Sequence, residues 1–449
     1  MSEISKTEGN DDKLDYKKIL PVFVIILIDL LGLTLIIPLL PLYAASFGGS
    51  AFTIGILGAA YPIMQFFGAP ILGRLSDRYG RRPILIISQI GTFIGFLILG
   101  ISNTLWLLFL SRIIDGISGG NIATAQAVIA DTTNEKTRTQ GLGLIGVAFG
   151  LGFIIGPIIA FVTLAASNNN YALVAYVASA FSLTSILLTY FWLEESHPVE
   201  NRNKGNKRIA VGLRSMLTAL GKPNIGILLA LMFFQQFAFG GYEQMLSLFT
   251  LNRLGMNASN NSAYFVFIGV IVVAVQGYYV GRWSRKFGDR WMIILGIALL
   301  AFGLTFSALT PKQAAPWYSQ NAVLEELSLE NSEEAISADD VKISLPDESS
   351  KGWAGIVWLL AATVPAAIGG GILQPTLNSK LTKTVKPEEV GGVLGLSSAF
   401  YSAANAFSPL MMGFVFEQFG SSYPFLIGGA VLFVLWFISR KKILKDNSV

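Results

Sequence analysis

The chain has 449 residues, of which 53% are hydrophobic and only 13% charged. Soluble proteins carry about a quarter charged residues, so this composition excludes an ordinary soluble domain. The absence of cysteine excludes disulfides, thiol catalysis and thiolate metal sites. The net charge of +4 says less than where the charges sit.

In the expected cytoplasmic tail 1–18, Met1–Tyr16 is polar and acidic and lacks the features of a cleavable signal peptide, so the first apolar run is expected to act as an uncleaved anchor. Apolar runs then recur to the end of the chain, each near the ~20 residues that a helical crossing needs. A transmembrane barrel would instead show alternating segments of about ten residues. Twelve crossings are expected, at roughly 19–44, 52–73, 84–102, 105–130, 139–164, 171–193, 223–249, 262–283, 291–310, 353–379, 389–416 and 422–440. The expected fold is therefore an all-α membrane protein.

Lys and Arg gather in alternate connections and at both tails, among them Arg74 to Arg82, Lys136, Arg138, Arg202 to Lys222, Arg282 to Arg290 and Lys380 to Lys386. The opposite connections hold only Arg253, Lys312, Lys342 and Lys351. This asymmetry places both termini in the cytoplasm.

Between the second and third crossings lies Gly73-Arg-Leu-Ser-Asp77-Arg78-Tyr-Gly80-Arg81-Arg82-Pro83. Glycines at both ends permit a sharp reversal. The stretch reads as a gate in which Asp77 and the arginines pair differently in two states. Asp131, at the end of the fourth crossing, is an expected gate partner.

Residues 194–222 are polar and read as a cytoplasmic linker between halves 19–193 and 223–440, with a short surface helix at Arg208–Leu220. The halves resemble each other. Gly281-Arg-Trp-Ser-Arg285-Lys-Phe-Gly288-Asp289-Arg290 follows crossing eight as Gly73–Arg82 follows crossing two, except that Arg285 stands opposite Asp77. Such a repeat is the mark of a secondary transporter with its substrate between pseudo-symmetric halves. Residues 311–352 are a long acidic insertion on the outer side, expected to be a flexible, solvated cap, with a ligand-binding lid as the alternative. The tail 441–449 closes the chain.

Charges deep in a bilayer cost about 2.5–3.5 kcal/mol each, so they call for a reason. Four are expected here: Asp29, Arg112, Asp115 and Glu243. Asp29 lies about 15 Å into the first crossing. Arg112 and Asp115, three apart, share a helix face and can pair. Burial raises a carboxyl pKa and a nearby arginine lowers it, so a group whose surroundings change with conformation can take up and release a proton. Asp29, Arg112 and Asp115 are the expected proton-coupling residues. The single histidine, His197, lies beyond a crossing and cannot serve. Gln65, Gln235, Gln236, Glu243, Gln374 and Tyr401 are expected to line a substrate cavity, with Phe233, Phe234, Phe237 and Phe400 beside them. Aromatics with a few amides suit amphipathic organic compounds.

Several motifs now coincide. The Gly73–Pro83 stretch resembles the loop signature of the major facilitator superfamily. Leu31-Gly32 followed by Pro38 and Pro41 resembles its first-helix motif, and Arg112-Ile-Ile-Asp115-Gly116 the Arg-x-x-x-Gly motif of its proton-coupled members. Gly143, Gly152 and Gly156-Pro157 match the spacing associated with drug:H⁺ antiporters, although Ala160 and Phe161 replace its final glycine pair. Tyr61-Pro-Ile-Met-Gln65-Phe-Phe-Gly-Ala-Pro70 and Ala130-Asp131 are similar to the tetracycline-resistance exporters. Those exporters carry an acidic residue in crossing three, where this chain has Gly95. The resemblance implies the major facilitator fold and a monomeric, proton-coupled exporter of amphipathic small molecules in a bacterial inner membrane, needing no cofactor, metal or nucleic acid. It implies that the glycines of crossing five make a leak-tight contact with the opposite half. Import of a metabolite, movement of lipid, and a non-transporting membrane sensor or assembly factor are the competing readings. No nucleotide loop, metal cluster or nucleophile triad points to an enzyme.

Overall fold

A computed structural model describes residues 16–133, 137–198, 213–222, 224–328, 343–386 and 390–443. The expected tail segments 1–15 and 444–449, Lys136, linker residues 199–212 and loop residues 329–342 lie outside the described residues. Regular structure among the described residues is helical. In chain order it comprises α1 Tyr16–Ile36, α2 Leu40–Ser46, α3 Ala51–Tyr79, α4 Arg81–Gly100, α5 Leu105–Ser118, α6 Asn121–Thr132, α7 Arg138–Ala166 and α8 Tyr171–Trp192. It continues with α9 Leu213–Leu220, α10 Ile225–Leu254, α11 Ala258–Ala274, α12 Val280–Ala308, α13 Gln320–Ser328, α14 Ala354–Thr382, α15 Val390–Phe419 and α16 Tyr423–Ile443.

Among the described residues, ten helical stretches are long and apolar enough to cross a membrane. One, Ala258–Ala308, joins α11 to α12 through a π-helical turn and bends at Gly288, where φ is 77° and ψ 154°. It covers the eighth and ninth expected crossings. The fourth is built from α5 and α6, each too short to span alone, meeting at a break over Gly119 and Gly120. The first also breaks, at Pro38, into α1 and α2. Proline lacks the N–H that would continue the helix.

α4 packs on α5 and α8, and α1 on α7 and α8; in the second half α12 packs on α14 and α16, and α10 on α15 and α16. Four helices, α3, α5, α8 and α11, start at one end of the bundle with side-chain caps from Ser50, Thr104, Asn170 and Asn257. These oxygens satisfy N–H groups that the first turn leaves free. That end also carries the 311–352 insertion and is here the loop end; the other is the hairpin end.

The halves meet toward the loop end. Gly55 of α3 lies against Pro409 and Gly413 of α15, with no room for a Cβ, and Gly58 lies against Gln244 of α10. Ser247 Oγ donates to the Pro38 carbonyl at 2.9 Å, and Phe52 N donates to Glu417 Oε2 at 2.8 Å. Pro38 leaves that carbonyl available because the helix stops there.

Three expectations are corrected. Helix α3 runs on to Tyr79, so Gly73 lies inside it with open space where a Cβ would stand. The reversal belongs to Gly80 alone, at φ 107° and ψ 157°. The insertion is not a solvated cap throughout: Ala314, Ala315, Tyr318, Val323, Leu327 and Ile343 are buried. Apolar side chains among its acids give it a core to join. Lastly, Gly152 and Gly156 of α7 face Thr34 of α1 in their own half, where Thr34 Oγ1 donates to the Gly152 carbonyl at 2.9 Å. Contact with the opposite half comes from Gly150 against Val273 and from Gly269 against Phe153. Gly143 and Pro157 lie in the same helix α7. Of the expected surface helix at 208–220, residues 213–220 form α9, packed on α10 and α15, and 208–212 lie outside the described residues.

Candidate functional site

Asp29, Asp115, Tyr61, Thr92, Phe96 and Asn121 line one small pocket inside the first half. The α5–α6 break builds it. Gln65 Nε2 donates to the Gly119 carbonyl at 2.8 Å and to Tyr61 Oη at 3.1 Å, which ties α3 to the break. The chain restarts as a helix at Asn121, whose side-chain amide donates to Asp29 Oδ2. The N-terminus of a helix carries partial positive charge, so α6 also favours an anion at Asp29. Asp29 Oδ1 is buried without a hydrogen-bond partner.

Arg112 and Asp115 are both nearly sealed, each at 2% exposure. Arg112 Nη1 lies 3.2 Å from Asp115 Oδ2, one turn along α5. The two make a close Coulombic contact without the alignment of a hydrogen bond, since Asp115 Oδ2 and Arg112 Nη2 both lack a hydrogen-bond partner. Arg112 Nε donates to Ser111 Oγ at 3.3 Å, and its guanidinium sits 5.5 Å from the centre of the Phe96 ring. Buried unsatisfied groups are costly. The site thus holds two carboxyls and one guanidinium with polar atoms left unsatisfied.

Gly95 explains part of the arrangement. A Cβ there would press on Asp115 Cβ at 2.9 Å and the Ser111 carbonyl at 3.1 Å. The glycine of α4 makes room for the acid of α5.

The other expected cavity residues disperse. Gln236 Nε2 donates to Asn405 Oδ1 at 2.9 Å, bridging α10 to α15. Gln235 Oε1 and Tyr401 Oη are buried without a hydrogen-bond partner. Gln374 is exposed. Glu243 is half-buried on α10. Residues 236, 240, 243 and 247 fall on one stripe of that helix by its 3.6-residue period, and Ser247 on that stripe reaches the first half. Gln65 belongs to the first-half pocket rather than to this group.

At the hairpin end Arg81 is the hub, only 3% exposed. It pairs with Asp77, donates to Asp131 Oδ2 at 2.9 Å, and donates to Ser76 Oγ at 2.8 Å. The Glu195 carboxylate caps α4, accepting from Arg81 N at 2.9 Å and Arg82 N at 3.2 Å. Gly80 before it has no side chain to do so. Arg82 donates to the Thr189 carbonyl at 3.3 Å and lies over the Tyr190 ring, while Arg78 is exposed beside Tyr79.

Sequence reasoning missed Asn121, Tyr61 and Thr92 in the pocket, Glu195 at the α4 cap, and Asn405 beside Gln236. The Gly119-Gly120 pair before Asn121 was the available signal for the first. The others are side chains brought in from distant helices.

A family model described as Major Facilitator Superfamily matches residues 22–324 and 350–448. The tetracycline resistance protein, class B, of Escherichia coli is 28% identical over 88% of this chain and 87% of its own length. Multidrug resistance protein 2 of Bacillus subtilis (strain 168) is 26% identical over 92% of this chain and 93% of its own. Among solved structures, a bacterial homolog of the human lysosomal transporter Spinster, inward-facing and unoccupied, aligns over 97% of this chain and 99% of its own, with a TM-score of 0.69 and 15% identity. These are families of transporters and not of enzymes. The chain belongs to the Major Facilitator Superfamily and is a multi-pass membrane transporter of small molecules.

Proposed function

We propose that this transporter exports amphipathic organic compounds in exchange for protons, by alternating access, from the cytoplasm of a bacterial cell. The observation that carries the reading is the Asp29–Asp115–Arg112 pocket: two carboxyls and one arginine, held with unsatisfied polar atoms inside one half. A purely structural ion pair needs no second carboxyl. Arg112 stabilises ionised Asp115 and is released when Asp115 takes a proton. Asp29 is the second proton site, and Asn121 orients it.

The halves touch toward the loop end, while the named ion pairs of the hairpin end, Arg81 with Asp77 and Asp131, and Lys383 with Asp289, each lie within one half. With the Lys/Arg-rich hairpin end taken as cytoplasmic, we read this as a state open to the inside. The stripe of α10 bearing Gln236 and Glu243, with Asn405 and Tyr401 of α15, is the proposed substrate surface. Tetracycline and multidrug resistance proteins among the relatives support export of organic compounds.

The test is transport in proteoliposomes with and without an imposed pH gradient, screened against drugs and metabolites. Uphill movement that ignores the gradient overturns proton coupling.

A further inference from the structure

Residues 311–352 enter the second half between α12 and α14, and the family match omits residues 325–349. The base of this insertion is stitched to its own half. Gln313 N and Ala315 N donate to the carbonyls of Arg253 and Leu254 at 3.0 and 2.9 Å, and Asn252 Nδ2 donates to the Ser344 carbonyl at 2.7 Å. Gly352 N returns to the Ala314 carbonyl at 2.9 Å, closing the base. The Tyr318 ring fills the space over Gly255, whose φ of +66° ends α10.

Helix α13 then reaches the first half, packing on α2. Glu326 on α13 is 7% exposed, with Val323 and Leu327 buried beside it. Its Oε1 accepts from Tyr171 Oη at 2.8 Å and from Ala258 N at 3.2 Å. Tyr171 opens α8 in the first half; Ala258 opens α11 in the second. The Tyr171 ring is stacked on Tyr43 of α2, centroids 5.2 Å apart.

We propose that the described parts of the insertion, residues 311–328 and 343–352, form a clasp carried by the second half, and that Glu326 of α13 is the pin that fastens it to the first half while the loop end is closed. Parting the halves there must break the Tyr171–Glu326 bond and bare the apolar side chains around it. This rests on the alternating-access reading only in that the halves part at this end.

The pin also senses protons. Burial pushes the Glu326 carboxyl above its ordinary value, outweighing the bonds from Tyr171, Ala258 and Asn257, which lower it. Once the clasp opens, water returns the group to the ordinary carboxylate range. The facing titratable group is Tyr171 of α8, with Tyr43 of α2 stacked on it; Glu325 adjoins on α13, and the start of α11 brings Asn257 and no charge. A group whose pKa is higher in the closed form favours that form when protonated. The clasp is therefore tightest below the ordinary carboxylate range and loosens as pH rises through the raised value.

The chain has no cysteine, so Ser247→Cys in the full-length protein gives a single thiol between the halves. Its labelling by a membrane-impermeant maleimide, added from the loop end, reads opening without any transport substrate. Adding Glu326→Ala should raise the labelling rate about tenfold, because it removes both bonds that the carboxyl accepts. Tyr171→Phe, which breaks the same bond with less risk to folding, should raise it about threefold. Glu326→Gln keeps an acceptor and corrects for the thiol's own titration. Relative to it, the parent should label faster as pH rises from about 5 to about 8. Parental labelling rates in both Glu326→Ala and Tyr171→Phe, with normal yield, would overturn the clasp. Identical pH profiles for the parent and Glu326→Gln would overturn its proton sensitivity. Neither outcome depends on whether transport is driven by protons.

Discussion

The two hairpins carry the same glycine and opposite charges. Gly80 and Gly288 occupy corresponding places in the repeat and the same region of backbone space, at φ 107°, ψ 157° and φ 77°, ψ 154°. After Gly80 comes Arg81, buried among Ser76, Asp77 and Asp131. After Gly288 comes Asp289, buried and bonded to Ser284, to Ser379 at 2.9 Å and to Lys383 at 2.6 Å. Ser76 and Ser284 are equivalent, and Asp131 and Lys383 each end the fourth crossing or its counterpart. Each hub is therefore one charge held by a serine five residues back and by an opposite charge from another helix. Geometry has been kept while the sign has been inverted. Read this way, the loss of an acid at Arg285 is no decay of the second hairpin; the acid has moved to its hub.

The halves differ more deeply inside. The first half encloses Asp29, Arg112 and Asp115, whereas the second answers with uncharged groups such as Tyr242, Tyr264 and Thr363. The largest expected effect breaks this asymmetry. Asp115→Asn and Asp29→Asn should each reduce uphill, gradient-driven transport to background, while exchange of substrate down its own gradient survives. Arg112→Ala leaves Asp115 buried and unpaired, which costs about 3–5 kcal/mol, so it should lower yield and thermal stability as well. Tyr264→Phe in the second half should leave coupling intact. If both Asn variants still concentrate substrate with the parental pH dependence, the coupling groups lie elsewhere.

Next in size is a test of the inverted hubs. Arg81→Asp puts like charge against Asp77 and Asp131 and should destabilise strongly. Adding Asp131→Lys recreates the sign pattern of the second hairpin and should restore much of the lost yield. In the other hairpin, Asp289→Ala should cost less, up to about 1 kcal/mol for the ion pair, because Lys383 is 66% exposed and stays solvated when its partner is lost. Size-exclusion profiles and melting temperatures in detergent decide the order. If Asp131→Lys does not improve Arg81→Asp, the two hubs are not interchangeable designs.

How much of this could be read beforehand depended on range. The crossings were legible because an apolar run of about twenty residues has few other uses. The Arg112–Asp115 pair was legible because a three-residue spacing on a helix fixes a face. Asp29 was singled out by depth alone, and its partner Asn121, 92 positions later, was not legible at all. Glu195 and Glu326 looked like solvated acids in polar stretches. Only packing of distant helices makes one a helix cap and buries the other. The repeat alignment placed Asp289 opposite Arg81 in plain view, but the sequence does not say that both side chains turn inward.

Smaller effects attach to the paired glycines at the turns. Gly80→Ala and Gly288→Ala force a side chain into a backbone region used almost only by glycine, at about 1–3 kcal/mol each. Similar losses in melting temperature would show that the two turns are equivalent. A loss confined to one would show that the repeat is a likeness of sequence without a shared conformation.

The smallest effect separates stability from gating. Gly73 and Gly281 start the paired stretches, and both lie within helices. A Cβ at Gly73 meets nothing within 4 Å, and one at Gly281 meets only Arg285 Nη1 at 3.8 Å. Alanine favours a helix over glycine by up to about 1 kcal/mol, so Gly73→Ala and Gly281→Ala should each hold or slightly raise the melting temperature. In this state no contact tells the two apart. A closed hairpin end would bring the end of α3 against the opposite half, and close approach between helices favours small residues. Gly73→Ala should then slow transport several-fold without a loss of stability, as a gate requires, because the added methyl is met only after closure. Gly281→Ala is the matched control for helix propensity at the same place in the repeat. Equal, undiminished transport by both variants would reduce Gly73 to a helix residue and leave Gly80 as the only glycine that the first hairpin needs.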